Sequence, residues 1–306
     1  MGGSARRRAP AKVNLALAVG PPNPAPPMGD GLHPIASWMV AVDLFDEMTV
    51  TRLEHDRASR YAILWSEEAP RPSPVDWPIT KDLAVRAHLL LEETVGRRLP
   101  VQMKLEKRIP VGAGLAGGSS DAAAALLAIN ECFGLGLRDA RLRALAAQLG
   151  SDVPFFLHDE EACAPAFVSG VGHVIERTAP ARSAGKPAQF ALILPDLACA
   201  TPEVYRALDA RPGVFDADRA RRAACAGEVH DAALFNDLAE PACRVEPALG
   251  ALRSAISDAL GRGAHVTGSG AGLFVVLDER DAETTIELLR ACEALRECVV
   301  VRARAL

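Results

Sequence analysis

Three places in the chain combine residue types that can handle a phosphoryl group. The densest is residues 109–130, IPVGAGLAGGSSDAAAALLAIN, where Gly112, Gly114, Gly117 and Gly118 precede Ser119, Ser120 and Asp121 and then an alanine-rich run. Glycine has no Cβ, so such a backbone turns sharply and approaches a ligand closely. Serine and aspartate are good N-cap types, and residues 122–129 are strong helix formers. The pattern predicts a loop ending at a helix N-terminus, whose unpaired N–H groups and partial positive charge suit a phosphate. A tight strand-to-helix turn with no ligand is the blander alternative, but the stretch holds more glycine than a turn needs. It lacks both the GK[ST] ending of a P-loop and the GxGxxG fingerprint in its strict context. The second place is LGSDVPFFL, which sets Asp152 beside an apolar segment. Alone it reads as a turn or N-cap aspartate; near a phosphate loop it becomes a base for a substrate hydroxyl, a role that contributes typically ~10²–10⁴ in rate. The third is Lys12, between Ala11 and Val13, which is either an edge-strand lysine facing water or a cation near the chemistry.

These residues need elements to carry them. APAKVNLALAV (residues 9–19) alternates and then turns mostly apolar, as a strand does. GPPNPAPPMGDG (residues 20–31) can form neither helix nor central strand. Strand-like material resumes at IASWMVAVDLFDEMTVTRL, and after a second loop, SEEAPRPSPVDWP, the spacing and aspartate start of residues 82–95 fit an amphipathic helix. VQMKLEKRIP then reads as a strand ending at Pro110, directly before the glycines. Past Pro180 a fresh alternation begins with FALILPDL and includes the helical PALGALRSAISDALGR and the strand GLFVVL. The boundary is placed there, giving domains 1–180 and 181–306.

Bulk properties narrow the classes. The 306 residues allow two domains, and 49% hydrophobic with 24% charged residues is ordinary for a globular protein. A net charge of −5 argues against nucleic acid as the main partner. No apolar stretch approaches the ~20 residues of a membrane helix. The ARRR run ending at Arg8 has no apolar segment after it, so it reads as a flexible start of the chain and not as a secretory signal. Seven scattered cysteines without a CxxC pair fit reduced, mostly buried thiols in a cytoplasmic protein. The histidines show no HExxH or other metal spacing.

PVGAGLAGGSSDAAAAL resembles the phosphate loop of the GHMP kinases (galactokinase, homoserine kinase, mevalonate kinase and relatives). PAKVNL (residues 10–15) resembles the family's N-terminal motif and HVTGSGAGLFVVL (residues 265–277) its C-terminal glycine motif. GDGLHPI, LGSDVPFFL and FNDLAEP are also similar to family segments, in order from about Ala9 to Leu277. The resemblance implies an α+β fold, an α/β two-layer GHMP kinase architecture with an N-terminal ribosomal-S5-domain-2-like domain and a C-terminal ferredoxin-like domain. It implies ATP-dependent phosphorylation of a small alcohol, with Lys12 and Asp152 at the reacting centre and the lysine keeping the carboxylate ionised. It places MgATP, with Mg²⁺ as cofactor, at Lys107, Pro110, Gly112, Gly114, Leu115, Gly117, Gly118, Ser119 and Ser120. Asp82 stands where the family usually has asparagine, on the adenine side.

On the acceptor side the resemblance implies contacts from Asn14, His33, Thr201, Tyr205, Gly268, Ser269 and Gly270. The order of motifs is most similar to the branch that phosphorylates the 2-hydroxyl of a cytidylated methylerythritol in non-mevalonate isoprenoid synthesis. That branch has Gly-Tyr-His where this chain has Gly31-Leu32-His33, so an aromatic face is absent there; stacking a base on such a face is worth ~1–3 kcal/mol. A GHMP kinase for another alcohol or sugar, and a non-catalytic nucleotide-binding protein of the same fold, are the alternatives. The expected partners are ATP and a small molecule, not nucleic acid or membrane, for a monomer or homodimer in the cytoplasm.

Overall fold

The computed structural model describes residues 3–22, 31–158 and 163–306. It runs through β1 (Ser4–Val19), β2 (Ile35–Arg52), β3 (Arg60–Trp65), α1 (Leu83–Val95), β4 (Val101–Lys107), α2 (Gly117–Cys132) and α3 (Asp139–Leu149). It continues with β5 (Ala166–Gly170), β6 (Val174–Arg177), β7 (Arg182–Ser183), β8 (Lys186–Pro187), β9 (Gln189–Leu194), α4 (Thr201–Asp209), α5 (Ala217–Ala226) and β10 (Phe235–Asn236). Then come α6 (Ala239–Val245), α7 (Pro247–Leu260), β11 (His265–Val266), β12 (Leu273–Leu277), α8 (Ala282–Ala291) and β13 (Val299–Arg304). Two compact units form. The first gathers the described residues of Met1–Ala11, Leu44–Val111 and Ala116–Cys163; the second gathers those of Lys12–Asp43, Gly112–Leu115 and Ala164–Leu306. Most of the proline-rich stretch, residues 23–30, lies outside the described residues.

In the first unit the end of β2 pairs antiparallel with β4, and β4 pairs in parallel with β3. β4 alternates as its sequence does: Val101, Met103, Leu105 and Lys107 point inward, while Gln102 and Lys104 face out. Helices α1, α2 and α3 pack on one another. Asp82 caps α1 as expected, accepting from the N–H groups of Ala84 and Val85, and Gly96 ends it in the left-handed conformation. The sequence reading passed over β3. It lies at the end of the strand order and buries no residue fully, so its apolar pattern is weak.

Two local expectations are corrected here. The arginines of residues 6–8 are not a flexible tail but part of β1. Ser4 Oγ donates to the Val50 carbonyl at 3.2 Å, Arg6 pairs with Glu47 and Arg7 with Glu131, and the Arg8 guanidinium lies 5.2 Å from the centre of the Phe45 ring. The second concerns α2, which starts at Gly117 and not after Ser119–Asp121. Its N-cap is Ala116 at φ 55°, with no side-chain cap. Glycine at the first two helical positions lets the turn close earlier than the serines signalled, so Ser119, Ser120 and Asp121 lie within its first turns.

In the second unit β1 pairs in parallel with β10, and the start of β2 pairs antiparallel with β5, which pairs with β6. From Ala9 onward β1 is buried on both faces, which is why its alternation gives way to an apolar run. The four-stranded sheet has the order β11-β12-β9-β13, antiparallel throughout. Among the elements from β9 onward, the sheet strands and the helices that connect them follow the βαββαβ plan of the ferredoxin-like fold. Phe190 and Phe274 meet edge-on at 5.7 Å in its core. The cysteines are all free; against the expectation of mostly buried thiols only Cys163 and Cys199 are buried, and Cys225 is exposed. No helix among the described residues is long and apolar enough to cross a membrane.

Candidate active site

The second unit builds a buried polar cluster around Lys12. Lys12 is only 3% exposed, which excludes the edge-strand reading. Period-two geometry puts Lys12 and Asn14 on one side of β1, and Lys12 Nζ donates to Asn14 Oδ1 at 2.6 Å and to the Gly114 carbonyl at 2.9 Å. Asn14 is itself fixed. Its Nδ2 donates to Ser37 Oγ at 2.8 Å, Ser37 passes a hydrogen bond to the Ala16 carbonyl, and the Asn14 N–H meets Thr267 Oγ1. Residues 112–115 lie against the Gly268–Gly270 turn. A Cβ on Gly114 would come within 2.2 Å of the Thr267 carbonyl oxygen, and the residue's φ is +68°, so two separate constraints demand glycine. Asn236, in the FNDLAEP segment, pins the turn by donating to the Val266 and Gly268 carbonyls, both at 2.8 Å.

The first unit supplies a helix N-terminus of different character from α1. The leading N–H groups of α2 meet no capping side chain, Gly118 is exposed and Ser119 half-buried. Ser120 is buried and its Oγ has no hydrogen-bond partner among the described residues. Behind this turn Lys107 is buried, not solvated, with its ammonium 2.5 Å from Asp46 and 2.7 Å from Asp121. Asp46 also accepts from the backbone N–H groups of Arg108 and Ile109. Burial alone would lower the Lys107 pKa, but the Asp121 and Asp46 carboxylates outweigh it and hold it above the ordinary lysine range. Burial raises Asp121 well above the usual carboxylate range, against the pull of Lys107. The triad joins β2, β4 and α2, so it fixes where Pro110 delivers the chain and where α2 starts.

Asp152 occupies the N-cap position of a 3-10 turn, Val153–Phe156, whose four residues are all buried. Its side chain does not cap that turn, and its backbone carbonyl accepts from Phe155. The turn-aspartate reading is therefore true of its backbone and not of its carboxylate.

On the acceptor side the structure brings the expected residues together in two pairs, both within the second unit. The His33 and Tyr205 rings lie 4.8 Å apart at 54°. Thr201 Oγ1 and Ser269 Oγ are 2.8 Å apart. Tyr205 is half-buried on α4, not a core residue, and Leu32 is 51% exposed. Asp82 is used by its own helix and by the Trp77 indole at 3.3 Å. Sequence reasoning missed Ser37, Asp46, Asn236 and Asp209. Asp46 carried a signal, an acidic residue at an inward position of a mostly apolar strand, and Asn236 stood in the FNDLAEP segment; Ser37 and Asp209 carried none.

Among the described residues no group of three or more His, Cys, Asp or Glu side chains is placed to hold a metal ion. A nucleotide-bound Mg²⁺ takes most of its ligands from phosphates and water. Ser119 and Ser120 offer the hard oxygen donors that such an ion accepts, and the unpartnered Ser120 Oγ fits that use.

Residues 82–160 match the family model described as the GHMP kinases N-terminal domain. A 4-diphosphocytidyl-2-C-methyl-D-erythritol kinase from Symbiobacterium thermophilum is 37% identical over 281 residues, covering 89% of this chain and 90% of the relative. A crystal structure of 4-(cytidine 5'-diphospho)-2C-methyl-D-erythritol kinase superposes with a TM-score of 0.72 at 33% identity, covering 98% of this chain and 99% of the other. Homoserine kinase from Cytophaga hutchinsonii, at 16% identity and a TM-score of 0.68 over 100% of this chain and 95% of its own, shares the fold.

Proposed function

Since the chain belongs to the GHMP kinase family and is a small-molecule kinase, we propose that it transfers the γ-phosphoryl group of ATP to the 2-hydroxyl of 4-diphosphocytidyl-2-C-methyl-D-erythritol. The observation that carries the acceptor is identity of 37% to a kinase of that name along 89% of the chain. In this reading the product serves non-mevalonate isoprenoid synthesis.

The mechanism follows from positioning and charge, which phosphoryl transfer needs more than covalent chemistry. The open N–H groups at the start of α2, with Gly117, Gly118 and Ser119, receive the ATP phosphates. Pro110, Gly112, Gly114 and Leu115 belong to the loop before them, and Lys107, through Asp46 and Asp121, fixes the chain at Arg108 and Ile109 and the start of α2. Asp152 takes the proton of the 2-hydroxyl as its oxygen attacks the γ-phosphorus. The bond to the β,γ-bridging oxygen breaks, ADP leaves with the electron pair, and the proton remains on Asp152 until solvent removes it. Lys12 stabilises the charge developing on the transferring oxygens, its ammonium oriented by Asn14 Oδ1 and the Gly114 carbonyl. Mg²⁺ on the nucleotide, held by Ser119 or Ser120, would neutralise the β and γ oxygens. His33 and Tyr205 take the base, and Thr201 with Gly268, Ser269 and Gly270 takes the acceptor's phosphates. In family terms residues 1–180 form the ATP-binding domain and residues 181–306 the substrate domain.

ADP release from MgATP, measured with the cytidylated methylerythritol against mevalonate, homoserine and galactose, tests the acceptor: selective turnover of the first is expected, and turnover of another alcohol alone would refute it. Asp152→Asn should lose about 10²–10⁴ in kcat while still binding MgATP. Near-normal turnover by that folded variant would remove Asp152 from the mechanism.

A further inference from the structure

Helix α4 carries more of the acceptor site than the two residues the sequence singled out. Thr201, Tyr205 and Asp209 follow at four-residue intervals, which lines them along one face. All three are engaged: Thr201 with Ser269, Tyr205 with the His33 ring, and Asp209 with His33 Nε2 through Oδ1 at 2.8 Å. His33 is thus held twice by one helix, by the Tyr205 ring tilted against it and by a carboxylate at its Nε2. The imidazole side chain is 10% exposed.

An ionised carboxylate only accepts hydrogen bonds, so its partner nitrogen must carry the hydrogen. Asp209 therefore places the hydrogen of a neutral His33 on Nε2 and leaves Nδ1 as a lone pair. His33 Nδ1 makes no hydrogen bond among the described residues. A lone pair there accepts from an exocyclic amino group, such as cytosine N4, and repels the carbonyl that uracil presents at that position.

We propose that Asp209 is a positioning residue that fixes the His33 tautomer and so selects an amino-bearing pyrimidine over a carbonyl-bearing one, a role that rests on the cytidylated acceptor proposed above. Discrimination of this kind comes from a buried polar group left unpaired by the wrong ligand, and not from added contact area.

The test compares the cytidylated acceptor with its uridine counterpart in wild type, Asp209→Ala and Asp209→Glu. Asp209→Ala should raise KM for the cytidylated acceptor roughly tenfold and reduce cytidine-over-uridine selectivity by a similar factor, with kcat and KM for ATP unchanged. Asp209→Glu should restore both. Nitrogen-15 NMR of the His33 ring gives a readout independent of turnover: wild type should show a protonated Nε2 and an unprotonated Nδ1. The opposite tautomer, or unchanged selectivity in a folded Asp209→Ala protein that still uses the cytidylated acceptor, overturns the role of Asp209 alone. Wild-type turnover of a different alcohol in place of the cytidylated one overturns the acceptor reading and the base-selecting role with it, whatever the tautomer.

Discussion

Each unit buries one lysine, and their surroundings differ in kind. Lys107 in the first unit lies between two carboxylates, while Lys12 in the second donates to an amide and a backbone carbonyl. Both are 3% exposed, so burial does not distinguish them. The acceptors do. Two acidic side chains on one buried ammonium tie three elements together, which makes Lys107 a fastening for the end of β4 and the start of α2. The Asn14 amide oxygen and the Gly114 carbonyl fix where the Lys12 ammonium points, which suits it to meet a phosphoryl group.

The comparison breaks most visibly at Lys107. Lys107→Met leaves Asp46 and Asp121 buried without their cation, and stability should fall by about 3–5 kcal/mol, read from chemical denaturation. A loss under 1 kcal/mol would mean that the triad fastens nothing. Lys12→Met should divide the effects the other way. Turnover should drop about 10²–10³-fold, as on loss of one preorganised charge stabiliser. Stability should fall by less than in Lys107→Met, with about 1–3 kcal/mol coming from Asn14 Oδ1 and the Gly114 carbonyl left short of a donor. Equal stability losses in the two variants, with turnover intact in Lys12→Met, would erase the distinction.

The smallest effect sharpens a parallel contrast within the first unit. Helix α1 is capped by Asp82, whereas α2 has no side-chain cap. Asp82→Ala should cost about 1 kcal/mol in denaturation with KM for ATP little changed. A large rise in that KM would show that Asp82 serves the nucleotide as well as its own helix.

Much of the arrangement was legible along the chain because it is local. The alternation of Val101, Met103 and Leu105 puts the next inward position at Lys107, so its burial was legible in β4. The same period pairs Lys12 with Asn14. The glycines of residues 112–118 announced a close approach, and Gly114 has one, to the Thr267 carbonyl. The start of α2 was misjudged because serine and aspartate favour caps in isolation, while in the fold Asp121 is drawn inward to Lys107 and the helix begins earlier.

By itself, then, the sequence determined the order of strands and helices, the glycine-rich turn before an alanine-rich helix, and the kinase family, since these rest on short-range preference and contiguous motifs. Only the tertiary structure decided that Asp46 closes on Lys107 and two backbone N–H groups across 61 to 63 positions, that Ser37 locks Asn14, and that Asp209 reaches His33 across 176. A polar side chain far along the chain carries no periodic signal of its partner. Its role is set by which strands and helices pack together, and that is a property of the folded whole.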